Sequence, residues 1–448
     1  MNGFPEPVKK PGDEGYDVSS TSYNRVLEYR PDLVVPATTS DHVVAAVEQA
    51  GRTGTPVAVH STGHGPSVAV ETGVLIDVSR MTGVRVDEQS RTAWVSAGTR
   101  WQEVLAATAP LGLAPLSGSS PVVGVAGFVT GGGIGMLGRR YGFAADHVRE
   151  LELVTADGRL RKVSPEQDPD LFWAVRGGKG NFGVVVSMGL ELLPVSTLYG
   201  GGLYYSGEHV AQALHAYAEW TTSVPDEMTT SVLLIQVPDI EGLPGPLRGK
   251  FVMHLRVAYC GTPEDGDRWL KPMRDAAPQL MDTVAEIPYA QVPAIHHEPL
   301  QGLPGYSRNI ALGPVGADWA TALLAIAGPG AGAPYGVEVR HLGGAYAREP
   351  EVPNAVGGRD AAFSLTANSL VAQAERAVLA EAHERLQRQM RPWATGGRLL
   401  NFLGVADADP EIVRTAFRPA DYERLTAVKA SYDPANIFRL NHNIPPAA

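Results

Sequence analysis

The sequence predicts an α+β protein: a first half of short, turn-bounded strands and a second half of long strands with helices on one side. Three observations lead there. Fifty glycines and 35 prolines in 448 residues suit many strands and turns better than a helical bundle. Up to about residue 195 the apolar runs are short and are separated by three Gly-rich stretches. Beyond Pro194, strand-like runs at 229–237, 251–259, 337–342 and 362–368 alternate with helical stretches at 208–221, 264–276 and 369–391. Residues 1–195 therefore read as one domain, 196–395 as a second, and 396–448 as a tail.

The elements follow in order. Residues 1–30 are a polar lead-in. Leu33–Pro36 is a strand ended by its proline. Ser40 offers a cap to a helix whose apolar positions are Val43, Val44, Val47 and Ala50, and Gly54 closes it. The strand 57–59 completes a β-α-β unit. Short strands follow at 74–77, 83–86 and 93–97. Thr99 with Gln102 reads as a capping box for a helix over 100–109, stopped by Gly112 and Pro115. Glu150 to Thr155 alternates cleanly, and Asp157-Gly158 turns it into Leu160–Val163 as a hairpin. Leu171–Val175 reads as a short amphipathic helix, Arg176–Gly183 as a Gly-rich turn, and Val184–Val186 as a buried strand. In the tail, Tyr422, Leu425 and Val428 are at helical spacing.

Composition narrows the function. A net charge of −11 argues against nucleic acid and anionic membrane surfaces as partners, since both select basic patches. The single cysteine, Cys260, allows neither an intrachain disulfide nor a cysteine-ligated zinc site. The N-terminal residues lack the basic and apolar segments of a signal peptide, and no apolar run reaches 18 residues. The expectation is a cytoplasmic protein, monomeric or homodimeric, acting on a small molecule.

The stretch from Val59 to Ser67 carries the strongest local signal. A short apolar strand runs into Ser61-Thr62-Gly63-His64-Gly65, which brings bare backbone N–H groups together as a nest suited to a pyrophosphate. His64 stands between two glycines and is free to approach a ligand. The second Gly-rich stretch, Ser117 to Gly135, holds seven glycines in nineteen residues. Within it Gly133 to Gly138 matches G-x-G-x-x-G, but no strand precedes the match and Gly142 ends any helix within a turn, so a dinucleotide fold of that kind is rejected. Backbone lying along an extended planar ligand is the better reading, because only glycine permits such close approach.

Together these motifs resemble the flavoproteins of vanillyl-alcohol-oxidase fold, in the berberine-bridge-enzyme-like branch that includes bacterial 6-hydroxy-D-nicotine oxidases. Ser61-Thr62-Gly63-His64 resembles the R-S-G-G-H loop of that family. Pro121 to Gly138 is similar to its C-P-T-V-G-V-G-G…G-G-G-x-G run, Arg139–Gly142 to R-K-Y-G, and Asp146–Val148 to D-N-V. Asp170 to Gly183 is close to D-L-F-W-A-x-R-G-G-G-G-N-F-G. Tyr432 to Arg439 and Asn443 to Pro446 resemble the closing Y-D-P-x-N-x-F-R…I-P-P.

The resemblance implies a two-subdomain FAD-binding domain completed by the tail 396–448, and a substrate domain whose antiparallel sheet, with flanking helices, faces the flavin. It implies FAD bound by His60, Ser61, Thr62, Gly63, His64, Gly65, Ser120, Val123, Gly124, Val125, Gly127, Thr130, Gly131, Gly183, Val185, Asn441 and Asn443. His64 would be the covalent tether. Ser120 stands where doubly linked members have a second attachment through cysteine, so a single bond is expected. His60 replaces the usual arginine and would be a weaker phosphate partner. Val123 stands where a small residue is associated with reoxidation by O2.

The implied function is oxidation of an alcohol, amine or secondary-metabolite scaffold by hydride transfer to FAD. The alternative is cyclisation or isomerisation with a redox-silent flavin. A flavin oxidase asks the protein to orient the substrate and take its proton. Tyr346, expected on a strand facing the flavin, His341, the pair His296-His297 and Asn401 are the candidates, with Tyr346, His341, His297 and Asn401 selected. No metal is expected, since adjacent side chains of His296-His297-Glu298 diverge on an extended chain.

Overall fold

The β-α-β unit forms where its sequence predicts it. In the computed structural model, which describes residues 7–371 and 375–447, β1 (Leu33–Pro36), β2 (Val57–His60) and β3 (Val74–Asp77) make a parallel sheet in the order β1-β3-β2. The helix Ser40–Thr53 buries Val43, Ala46, Val47 and Ala50 against it and ends at Gly54, whose φ of 66° suits glycine. Its cap is Thr39, one residue before the expected Ser40: the Thr39 side chain accepts from His42 N. The parallel register sets His60 beside Asp77 at the strand ends, which sends the 61–65 loop out of the same edge of the sheet.

A second, antiparallel sheet follows, with strands β4 (Val84–Asp87), β5 (Thr92–Ser96), β6 (Val148–Val154), β7 (Leu160–Val163) and β8 (Val184–Glu191) in the order β4-β5-β8-β6-β7. The hairpin of β6 and β7 turns at Asp157-Gly158, with Gly158 at φ 75°. The capping box expected at Thr99 does not form. The helix spans Trp101–Thr108 without a side-chain cap, and the Thr99 hydroxyl instead exchanges hydrogen bonds with the backbone of Gly83. Its first-turn N–H groups are met by carbonyls of the next Gly-rich segment, Trp101 N by Val123 O and Gln102 N by Pro121 O.

One further local expectation is corrected. The helix Pro169–Gly178 is buried on all sides from Leu171 to Gly178, so it is a core helix and not an amphipathic one. Residues 125–130 form a short helix inside the second Gly-rich stretch, an element the sequence reading did not assign.

The largest sheet is antiparallel and has eight strands: β9 (Thr197–Ser206), β10 (Met228–Gln236), β11 (Phe251–Tyr259), β12 (Gln279–Asp282), β13 (Ala285–Pro288), β14 (Gly305–Leu312), β15 (Gly336–His341) and β16 (Phe363–Leu370). Its order is β12-β9-β11-β10-β15-β16-β14, with β13 paired to β9. The period of two divides its residues cleanly. Met228, Val232 and Leu234 of β10, Met253, Leu255 and Val257 of β11, and Val337 and Val339 of β15 face one way. They pack with Leu214 and Tyr217 of the helix Val210–Trp220, Leu270 of Pro263–Ala276, and Trp319 and Leu323 of Ala317–Ala327. The expected helix at 369–391 is described over Arg376–Met390, while residues 369–370 belong to β16 and 372–374 lie outside the described residues.

On the opposite face the middle of the sheet is polar, with apolar Leu233, Ile235, Val252 and Ala258 towards the strand ends. Thr229, Ser231, His254, Arg256, Glu338 and Arg340 occupy the positions between the apolar ones. Ser231, His254, Arg256 and Glu338 are nevertheless buried. A sheet face that is both polar and buried is an exception to ordinary core patterning, and it marks the side on which the site lies.

Candidate cofactor cradle and active site

The loop after β2 is held by the lead-in segment. Thr62 O and Gly63 O accept from Tyr23 N and Asn24 N at 2.9 and 3.0 Å. Gly63 has φ 68°, and a methyl group there would fall 2.4 Å from Ser22 Cβ, so both conformation and space require glycine. His64 Nδ1 lies 2.6 Å from Thr62 Oγ1, and its ring stacks on Tyr23 at 3.7 Å between centroids and 15° between planes. Burial, helped by the nearby charge of Arg100, pushes the imidazole down to about 4, so it is neutral at physiological pH. Its Nε2 is buried with no hydrogen-bond partner from the protein.

This orphaned nitrogen has company. Ser61 Oγ, Ser120 Oγ, Asn441 Oδ1 and Asn443 Oδ1 are also buried without partners. Segment 120–124 adjoins the loop: a methyl group on Gly124 would lie 3.0 Å from Ser61 Oγ. Buried polar groups are normally paired, so the set fits a ligand rich in hydrogen-bonding atoms, and FAD has that chemistry.

The other residues expected to touch the cofactor are placed variously. Val123 is half-buried and its carbonyl accepts from Trp101 N, while Val125 is fully buried with its N–H donated to Thr99 O. Gly65 and Gly127 have open space where a side chain would stand. The Thr130 hydroxyl donates to Ala126 O within the short helix. Gly131 faces Lys179 and Asn401, and Gly183, at φ 154°, backs onto Val154 O. Val185 is half-buried and pairs with Leu153 in the second sheet.

His60 has one nitrogen engaged and one open. Its Nε2 donates to Ser19 O at 3.0 Å and lies 3.7 Å from Asp77 Oδ1, while Nδ1 is buried without a partner. Burial lowers its pKa despite Asp77 and the Ser19 carbonyl, which favours the neutral imidazole.

The polar sheet face closes the other side. A small cavity of about 20 Å³ lies between Ile134, Gly135 and Met136 of the Gly-rich run and Thr229, Ser231, Arg256, His296, Arg340 and His341. Glu338 sits between two guanidiniums, 2.5 Å from Arg256 Nη1 and 2.9 Å from Arg340 Nε. Arg340 Nη2 donates to Ser119 Oγ at 3.3 Å, and Ser119 Oγ donates to Glu298 at 2.5 Å, which ties the sheet to the 117–120 segment. Thr229 Oγ1, Ser231 Oγ, His254 Nε2 and His296 Nδ1 are buried without partners on this face.

The candidate catalytic residues fall in different settings. Tyr346 lies on a 3-10 turn, Gly344–Ala347, after β15 and not on a strand. Its hydroxyl donates to Gly135 O at 3.0 Å, its ring meets Phe143 edge-on, and burial raises its pKa, so it pins the Gly-rich run and resists deprotonation. His341 lines the cavity; its Nε2 accepts from Arg139 Nη1 at 2.9 Å, and burial, followed by Arg139, keeps it neutral. His297 is exposed at φ 54°, while its neighbour His296 is the histidine in the cavity. Asn401 clamps the glycine run: its Oδ1 accepts from Gly133 N and its Nδ2 donates to Phe128 O, both at 3.0 Å.

Sequence reasoning missed Tyr23 and the Arg256–Glu338–Arg340 cluster. The cluster had a signal, since Gly336-Val337-Glu338-Val339-Arg340 alternates polar with apolar as a two-sided strand does. Tyr23 had none, because only the tertiary fold brings it to His64. Among the described residues, no group of three His, Cys, Asp or Glu side chains is placed to hold a metal ion, and no helix is long and apolar enough to cross a membrane.

Comparison with known proteins agrees with this geometry. Residues 31–164 match the family described as FAD binding domain, and residues 401–445 match berberine and berberine-like proteins. The (R)-6-hydroxynicotine oxidase of Paenarthrobacter nicotinovorans is 28% identical over 97% of this chain and 96% of its own length. An FAD-linked oxidoreductase of Dictyostelium discoideum is 25% identical over 100% of this chain and 97% of its own. Among solved structures, a chitooligosaccharide oxidase superposes with a TM-score of 0.85 at 21% identity, covering 99% of this chain and 97% of that one. The 6-hydroxy-D-nicotine oxidase of Arthrobacter nicotinovorans gives 0.83 at 24% identity, covering 98% of each. The chain is an FAD-linked oxidoreductase, with an FAD binding domain and a berberine-like segment on a fold like that of 6-hydroxy-D-nicotine oxidase.

Proposed function

We propose that this protein is an oxidase with FAD tethered by one covalent bond through His64, acting on a polar small-molecule alcohol or amine. The observation that carries the reading is the buried, unpartnered Nε2 of a neutral His64, bonded through Nδ1 to Thr62 and stacked on Tyr23, with the Ser61 hydroxyl of the same loop also unpartnered. Ser120 in place of a cysteine supports a single tether. Bound FAD supplies hydride acceptance and return of the electrons to O2.

The chain's own residues do the rest. Thr229 Oγ1, Ser231 Oγ and His254 Nε2 offer unused hydrogen-bonding atoms to orient a polar substrate. His296 Nδ1 lies 3.6 Å from Glu338 and 3.7 Å from Glu298. Those carboxylates favour a proton on Nδ1, leaving Nε2 as the lone pair that accepts the substrate's proton. Burial, then Arg256 and Arg340, keep this histidine unprotonated before reaction. His341, whose Nε2 already accepts from Arg139, presents Nδ1–H as a donor. Tyr346 and Asn401 set the backbone of 133–135 that forms the opposite wall. Val123 keeps a small side chain beside the proposed ring site, which suits access by O2. We assign residues 1–195 with 396–448 to the FAD domain and 196–395 to the substrate domain.

The test is anaerobic mixing of the purified yellow protein with a panel of polar alcohols and amines. Bleaching of the flavin band, followed by return of the colour and H2O2 on admitting air, is the expected result. Turnover of a substrate with no bleaching overturns the oxidase assignment.

A further inference from the structure

Lys179 stands where the family pattern quoted above has glycine, in Arg176-Gly177-Gly178-Lys179-Gly180-Asn181-Phe182-Gly183. Its backbone keeps a glycine-like conformation, φ 53° and ψ −144°, which is strained for a residue with a Cβ. Its partly buried ammonium donates to Leu400 O at 3.0 Å, and among the described residues no carboxylate lies within ion-pair distance of it. A strained backbone and a half-desolvated charge are two costs at one position, and the single carbonyl contact offsets little of them. Such strain is retained at functional sites when something the residue touches makes it worthwhile.

The surroundings say where that partner lies. A methyl group on Gly131 would fall 2.7 Å from Lys179 Cε and 2.8 Å from Asn401 Oδ1. Gly131 ends the six-residue helix Val125–Thr130, whose other end, Gly124, abuts Ser61 and Thr62 of the His64 loop. Seven steps of helical rise separate these glycines by about 10 Å. That span is comparable to the long axis of a flavin ring system. With the ring's methyl-bearing edge at His64, the opposite, pyrimidine edge falls on the Gly131–Lys179 side.

We infer that Lys179 is a cofactor-tuning residue whose ammonium sits against the pyrimidine edge of the flavin and offsets the negative charge the ring gains on accepting a hydride. A hydride brings two electrons and one proton, so the ring's net charge falls by one; Lys179 balances that charge without itself transferring a proton. The placement rests on the reading of His64 as the tether at the ring's other edge, but the charge effect requires only bound FAD.

The experiment compares wild type with Lys179→Met, which keeps the stem without the charge, and Lys179→Gly, which also relieves the strain. Two quantities that do not depend on substrate turnover are read: the two-electron midpoint potential by dye-coupled titration, and the dissociation constant for sulfite, an anionic probe of flavin electrophilicity. Both variants are expected to bind sulfite at least tenfold more weakly. Their potential should fall by about 30 mV, the equivalent of a tenfold change in a two-electron equilibrium. Lys179→Gly is expected to melt at or above the wild-type temperature, which separates charge from folding. Unchanged potential and sulfite affinity in both variants overturn the inference. A loss of FAD content with potential unchanged overturns it too, since that places the charge on the diphosphate. Colour that washes out in acid with the potential still shifted removes the covalent reading and leaves the role of Lys179 standing.

Discussion

Replacing Glu338 by leucine should destabilise the protein by about 3–5 kcal/mol, the cost of leaving buried charge without its partner. The figure follows from the site. Glu338 and Arg256 are only 7% and 6% exposed, and the carboxylate bonds to Arg256 through one oxygen and to Arg340 through the other. Leucine fills similar space but strands both guanidiniums. Arg340 keeps a 3.3 Å bond to Ser119 Oγ and a 3.9 Å approach to the half-buried Glu298, and Arg256 keeps a weak bond to His254 Nδ1 at 3.3 Å, none of which replaces a buried carboxylate. The pH dependence adds a second check. Burial on its own would raise the Glu338 pKa, but Arg340 and Arg256 outweigh it and hold the carboxyl below its usual value. Its stabilisation is therefore fully present above an ordinary carboxylate pKa of about 4.3 and is lost as pH falls through the depressed folded value. Urea unfolding of wild type and Glu338→Leu, followed at constant slope from pH 7 down to about pH 3, measures both effects. A difference under about 1 kcal/mol at pH 7 would refute the claim that this cluster is a closed, mutually dependent charge network.

Two further outcomes are expected. Gly63→Ala places a Cβ at φ 68° and 2.4 Å from Ser22 Cβ, costing about 1–2 kcal/mol from conformation alone and more from overlap. The ratio of flavin to protein absorbance in the purified variant should fall well below wild type; equal flavin content would show that the loop tolerates a side chain. The third concerns His147, whose Nε2 donates to Tyr141 O at 2.8 Å and whose Nδ1 lies 3.3 Å from Glu191. Burial lowers its pKa, but hydrogen bonds to Glu191 and to Tyr141 O and the charge of Glu191 more than reverse this, leaving it raised. The pair's stabilisation is present below the unfolded value of about 6.5 and is lost as pH rises through the raised folded value. The stability difference between wild type and His147→Gln should thus shrink from pH 6 to pH 9, and a difference that grows over that range contradicts the assignment.

Much of the architecture was legible because strand and helix periods leave direct traces. Phe251–Tyr259 forms a strand over the run expected as one, and Gly54 ends its helix as expected. The His64 loop was legible for a different reason: Gly63 can be nothing else, and a histidine between glycines is exposed to whatever the loop holds. What failed depended on partners distant in sequence. Thr99 looked like a cap, but Gly83 claimed its hydroxyl, and carbonyls from 121 and 123 met the helix's free N–H groups. His297 and His296 are indistinguishable as neighbours in a sequence. A left-handed φ at His297 leaves one exposed and the other in the cavity. Asn401 was expected near the flavin, and the structure engages its amide with the backbone of 128 and 133. The stacking of Tyr23 on His64 joins a polar lead-in to the central loop, a contact no local pattern encodes.

The most direct test of the account is the fate of the flavin when the protein is denatured. Wild type precipitated in acid should stay yellow, and a proteolytic peptide containing His64 should carry the mass of one FAD. The same treatment of His64→Ala should leave a colourless pellet and free FAD in the supernatant. Colour that leaves the wild-type protein in acid, or flavin mass on a peptide lacking His64, would contradict the proposal that this histidine alone tethers the cofactor.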